Sequence, residues 1–127
     1  MNTKLLMSAS AVVLGMTGVI LSFFPQEITV SLGMGETAAI VLQVLGALYF
    51  GFAMINWMAK ANMIGGIYSR PVAVGNLAHF MMGSLALIKV AVTSAGPGYL
   101  WVAAVTYSIF AVLFGYVFFA TPALNNK

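Results

Sequence analysis

The chain predicts an all-α integral membrane protein: a bundle of four spanning helices with both termini in the cytoplasm. Three observations carry that expectation. Of 127 residues, 62% are hydrophobic and only 6% charged, against roughly 45–50% apolar residues in soluble domains, and the mean hydropathy is +1.05. The apolar residues fall into four stretches, about 5–24, 37–58, 71–93 and 99–120, each close to the roughly 20 residues that cross a bilayer. Lys4, Lys60, Arg70 and Lys127 all lie on one side of this layout and Glu27 and Glu36 on the other, and basic loops are retained in the cytoplasm.

Lys4 followed by Leu5 to Phe24 has the charged start and apolar run of a signal peptide. The run is about 20 residues long and no small-x-small cleavage site follows, so it reads as a retained first span. Pro25 ends it, and the segment to Glu36, with Gly33 and Gly35, reads as an exposed loop. The second span runs from Thr37 to Met58, and Lys60 to Arg70, with Gly65-Gly66, connects it to the third. Pro71 sits in the first turn of that third span, where its missing N–H is harmless. Gly96-Pro97-Gly98 then forces a tight turn, so spans three and four form an antiparallel hairpin, the last from Tyr99 to Ala120. Pro122 and Asn125-Asn126-Lys127 finish the chain.

Aromatic residues agree with the orientation, Trp57 and Tyr68 falling near the cytoplasmic boundary and Phe23, Phe24, Tyr99 and Trp101 near the outer one. Strands are excluded because an open sheet edge has no partner in hydrocarbon and these runs do not alternate polar with apolar. The expected organisation is a single four-span domain over residues 1–127, in a bacterial cytoplasmic membrane.

Small residues at helical spacing mark faces that permit close approach. Ala11 with Gly15 and Gly18 with Ser22 lie on span one, Gly46 and Ala47 with Gly51 on span two, Gly75 and Gly83 around His79 on span three, and Ala111 with Gly115 on span four. They serve packing within the monomer or at a subunit interface.

The polar residues inside the spans are where chemistry has to be sought. At 1.5 Å per residue, Gln43 lies roughly 9 Å and Lys89 roughly 6 Å below the outer ends of their spans, and with Thr17 and Thr106 they make a candidate outer polar layer. Asn56, Asn76 and His79 make an inner one, within reach of Tyr116. Lys89 has three readings: its stem snorkels to the headgroups, it faces the bundle or an oligomer centre where it attracts an anion, or it pairs with Glu27 or Glu36. His79 either hydrogen-bonds a neighbouring helix or, with Asn76 three residues before it on the same face, relays a proton or grips a polar ligand. Asn76, His79 and Lys89 share one broad face of span three with Met82 and Gly83.

Much else is excluded by composition. The absence of cysteine removes disulfides, thiolate nucleophiles and thiolate metal sites. One histidine with no intramembrane carboxylate makes no metal site, and a single histidine per chain ligates haem only across a symmetric interface. No nucleophile–base pair, phosphate loop or H-E-x-x-H helix is present. Five basic residues scattered singly give no nucleic-acid stripe. No cofactor and no metal are expected.

The glycine-bearing second span Leu45-Gly46-Ala47-Leu48-Tyr49-Phe50-Gly51 and the Arg70-Pro71 entry to the third, set in a four-span layout, resemble the small DoxX-like four-helix membrane proteins of bacteria. That resemblance implies a small membrane protein, in some members one that looks like a subunit of quinone-linked redox systems. The trimeric four-span glutathione-using transferases share the layout, but their Arg-x-x-x-Asn core followed by Glu is not matched here, since Arg70 and Asn76 are six apart and no Glu follows. Three functions remain: a non-catalytic accessory or assembly subunit acting through helix packing, as a homo-oligomer or within a membrane complex; a small-solute or ion conduit using Gln43, Asn56, Asn76, His79 and Lys89; and a lipid- or quinone-linked enzyme subunit.

Overall fold

Caps and prolines delimit the helices. The computed structural model describes residues 2–62 and 69–120. Among the described residues there are five helices, α1 (Thr3–Phe23), α2 (Pro25–Ser31), α3 (Thr37–Ala59), α4 (Arg70–Thr93) and α5 (Gly98–Phe119), and no strand. Four of them, α1, α3, α4 and α5, are long and apolar enough to cross a membrane, each ending within two residues of the limits read from the sequence. The regular structure of the described residues is all helical, and the four long apolar helices make this an integral membrane protein. The Gly65-Gly66 connection, Tyr68, Pro122 and Asn125-Asn126-Lys127 lie outside the described residues.

At the start of α1 the Asn2 side chain accepts from the Leu5 amide at 3.3 Å, satisfying one of the donors that a helix start leaves open. Pro71 opens α4 within its first turn. The segment after Pro25 departs from the exposed loop expected there. Pro25 occupies the first turn of α2, where its fixed φ favours helix, and Glu27 in that turn complements the positive end of the dipole. Pro25 and Thr29 are buried and α2 packs against α3 and α1, so tertiary contact sustains a helix too short to persist alone. Proline-plus-glycine composition marks where a span stops; it does not say whether the next residues coil or fold back.

The chain divides into two compact units, Met1–Ala61 and Asn62–Lys127. The first is a hairpin of α1 against α3 with α2 at its closed end; the second is the hairpin of α4 and α5. In α1 the buried positions Leu6, Ser10, Leu14 and Gly18 recur every four residues, with Met7 and Ala11 beside them. In α3 they are Gly46, Ala53, Asn56 and Ala59, spaced by seven, three and three, which keeps them on one helical face. In the second unit they are Ala73, Asn76, Phe80, Ser84 and Ala91 of α4 and Ala104, Phe110, Phe114 and Val117 of α5. Long apolar side chains elsewhere on the spans, such as Met58, Met82, Val112 and Phe119, are exposed, as suits helices whose solvent is lipid.

Candidate functional site

Each hairpin carries a polar link within its seam. In the first, Ser10 and Asn56 are fully buried. The Asn56 amide Nδ2 donates to Ser10 Oγ at 2.9 Å, and Ser10 Oγ donates onward to the Met7 carbonyl at 3.0 Å. The hydroxyl thus works as donor and acceptor at once, tying α3 to the backbone of α1. One helical turn and more beyond, the backbones come into near contact. A Cβ at Gly18 would sit 2.7 Å from the Phe50 nitrogen and 2.8 Å from the Gly46 carbonyl oxygen, and one at Gly46 would sit 2.8 Å from the Gly18 oxygen. Gly15 faces the Ala53 methyl at an ordinary 3.5 Å.

The second link joins His79 of α4 to Tyr107 of α5, with Nε2 and the phenolic oxygen 3.3 Å apart. Gly83 makes it geometrically possible: a Cβ there would lie 2.6 Å from two carbons of the Tyr107 ring, so the bare glycine is the notch in which the ring rests. Beneath it Phe80 organises an aromatic stack. Its ring lies edge-on to His79 and Tyr107, at centroid distances of 5.0 and 5.2 Å, and stacks on Phe110 at 4.8 Å and Phe114 at 5.6 Å. Such offset and edge contacts add to simple burial. Phe80 and Phe114 are fully buried.

The remaining residues singled out by the sequence are distributed as follows. Asn76 is buried and its amide donates to the Val72 carbonyl at 2.9 Å. His79 is half-buried, and Lys89 and Gln43 are exposed, so the span-three polar face grades from buried at Asn76 to open at Lys89. Thr17 and Thr106 turn their hydroxyls back onto Val13 and Val102 of their own helices, at 2.9 and 2.8 Å, and Tyr116 is exposed. Gly51 has open space where a Cβ would stand, Gly115 lies 3.6 Å from a Leu77 methyl, and Gly75 is half-buried. Among the described residues no three His, Cys, Asp or Glu side chains gather as metal ligands would.

Two participants escaped sequence reasoning. Ser10 is marked only by its four-residue spacing to Leu14 and Gly18, and Tyr107 by its register opposite Gly83, which a single sequence does not reveal. A third feature left no polar trace: a groove of about 500 Å³ in the second unit, lined by Ile88 of α4 and by Trp101, Val105, Ser108, Ile109 and Val112 among others of α5. The proton of its one hydroxyl goes to its own helix, Ser108 Oγ donating to the Ala104 carbonyl at 2.7 Å, and the surface is almost wholly apolar. No family model matches this chain, and no curated protein or solved structure is significantly similar to it.

Proposed function

We propose that the chain is a non-catalytic accessory or assembly subunit of the bacterial cytoplasmic membrane, a four-span bundle with both termini in the cytoplasm that acts through helix packing with further copies or partner subunits. The observation that carries this reading is where the polar groups go. Ser10 with Asn56 and His79 with Tyr107 are engaged inside seams, and hydroxyls along the spans bond their own helices, while long apolar side chains cover the outward faces. Polar groups held this way hold helices together in lipid. The orientation draws support from basic–aromatic pairs at one end of each hairpin. The Lys60 ammonium lies 2.9 Å from the Trp57 ring centroid and the Arg70 guanidinium 5.7 Å from that of Phe118, as belongs at a cytoplasmic headgroup boundary. The four-span layout keeps kinship with the DoxX-like proteins part of the same proposal.

Cysteine scanning tests it, in a chain that has no cysteine of its own. Cysteines replacing Asn76, His79, Gly83 and Ala86 one at a time should react with a membrane-impermeant thiol reagent at the outermost or innermost site alone. Labelling of all four would replace the packing role by a conduit. In intact cells the same reagent should reach a cysteine in place of Gly33 and miss one in place of Asn2; the reverse would invert the topology.

A further inference from the structure

We infer that the groove on α5 is a binding site for one acyl chain of an anionic phospholipid, whose headgroup is met by Lys89. The groove follows α5 from Trp101 to Leu113, twelve residues or about 18 Å of helix, close to the half-thickness of a hydrocarbon core, about 15 Å. Its lining is almost wholly apolar, the Ser108 hydroxyl giving its proton to its own helix, so it suits an apolar ligand, and it opens on the side of a helix apolar enough to span a membrane. A hydrocarbon chain is the occupant with matching chemistry and length.

The end of the groove nearest the α4–α5 turn supplies the charge that selects the headgroup. Trp101 lies about 4.5 Å along α5 from its start at Gly98, and Lys89 about 6 Å before the end of α4 at Thr93, so the two antiparallel helices bring them to one level. Lys89 follows the lining residue Ile88 and is exposed. Its flexible stem lets the ammonium rise toward the headgroups, while an indole at that depth marks the interface. Within the second unit the other described basic residue, Arg70, stands at the head of α4, the opposite end of that helix, so Lys89 is the cation this unit offers to a phosphate at the α4–α5 turn. The inference rests on membrane insertion and holds whether the protein is an assembly subunit or a conduit.

Tryptophan quenching by brominated lipid reads the site directly. With Trp57→Phe, Trp101 is the sole tryptophan, and full-length protein is reconstituted in phosphatidylcholine vesicles containing increasing fractions of either dibrominated phosphatidylglycerol or dibrominated phosphatidylcholine. Preference for the anionic lipid at Trp101 is expected to be about fivefold, the effect of one lysine at an anionic surface, and to vanish in Lys89→Gln while quenching by both lipids persists. Equal quenching by the two lipids before that substitution overturns the inference. Protection of Trp101 from both, with crosslinks from a photoreactive group at Ile109 running to protein, also overturns it and assigns the groove to a helix.

Discussion

The two hairpins solve one problem in opposite ways. Lipid offers no hydrophobic drive to press apolar helices together, so association depends on van der Waals fit and a few interhelical hydrogen bonds. The α1–α3 hairpin obtains its fit by removing side chains, with Gly18 and Gly46 bringing backbone against backbone. The α4–α5 hairpin obtains it by adding them, filling the seam with Phe80, Phe110, Phe114 and Tyr107 and removing one side chain, at Gly83, to seat a ring. Each also carries a polar link across the seam. A glycine that meets backbone has no tolerance for growth, whereas a glycine that meets a ring depends on what that ring can do.

The largest expected effect follows from that difference. Gly46→Leu places a side chain against the Gly18 oxygen and the Ser22 backbone nitrogen, neither of which can turn aside, so the helices must separate along the seam. A loss of about 3 kcal/mol is expected, the upper range for overpacking, together with loss of the Asn56–Ser10 bond that the same approach maintains. Gly51→Leu, on the same helix with open space at its Cβ, should leave stability in mild detergent within about 0.5 kcal/mol. Reversible unfolding in mixed micelles measures both; equal effects at the two positions would show that backbone approach at Gly46 does not set the two sites apart.

An intermediate effect sharpens the contrast, because in the second hairpin the obstruction can be removed. Gly83→Ala should destabilise by about 1–2 kcal/mol through its clash with the Tyr107 ring, and in a Tyr107→Ala background the same change should be nearly neutral. That coupling, about 1 kcal/mol or more in a double-mutant cycle, distinguishes a notch for a ring from a crossing of backbones. Tyr107→Phe keeps the ring and removes the hydroxyl that meets His79, so it isolates the polar link, worth about 0.6 kcal/mol on average for interhelical hydrogen bonds in membranes. If the cycle is additive, the ring is free to leave its notch.

How much of this the sequence discloses depends on the kind of information each feature needs. Length and apolarity locate α1, α3, α4 and α5 to within two residues, because a spanning segment must be long and apolar whatever its neighbours do. The fold-back of α2 depends on contacts with α3, and Gly33 and Gly35 disguise it as loop. Asn56 and His79 draw attention as polar residues in a span, but their partners Ser10 and Tyr107 do not: serine and tyrosine are ordinary in membranes, and pairing is a matter of register between helices. Gly18 and Gly46 stand out by composition, yet spacing ties Gly18 to Ser22 on its own helix, while the structure sets it against Gly46 on another. Gly51 shows the converse, a glycine with the same spacing and nothing beside it. The α5 groove is made of side-chain shape alone and has no signature in one sequence.

The smallest expected effect lies where each hairpin turns. The first leaves α2 through Gly33 at φ +65°, with its amide bonded to the Val30 carbonyl at 3.1 Å and that of Met34 to the Thr29 carbonyl at 2.8 Å, so a residue without a Cβ occupies the left-handed position. The second leaves α4 through Ala95 at φ +45°, where a Cβ meets the following carbonyl at about 1–2 kcal/mol. Glycine at 95 would relieve that contact but add unfolded-state entropy of about 0.5–1 kcal/mol, so Ala95→Gly should stabilise the second hairpin by about 0.5–1 kcal/mol. Gly33→Ala, carrying the same exchange in the other direction, should destabilise the first by a similar amount. The signs matter more than the sizes: unfolding of both variants under one denaturant series should move the midpoints apart. A shift of both in one direction would mean that the two turns do not share the left-handed geometry, and that their difference in residue type carries no energetic consequence.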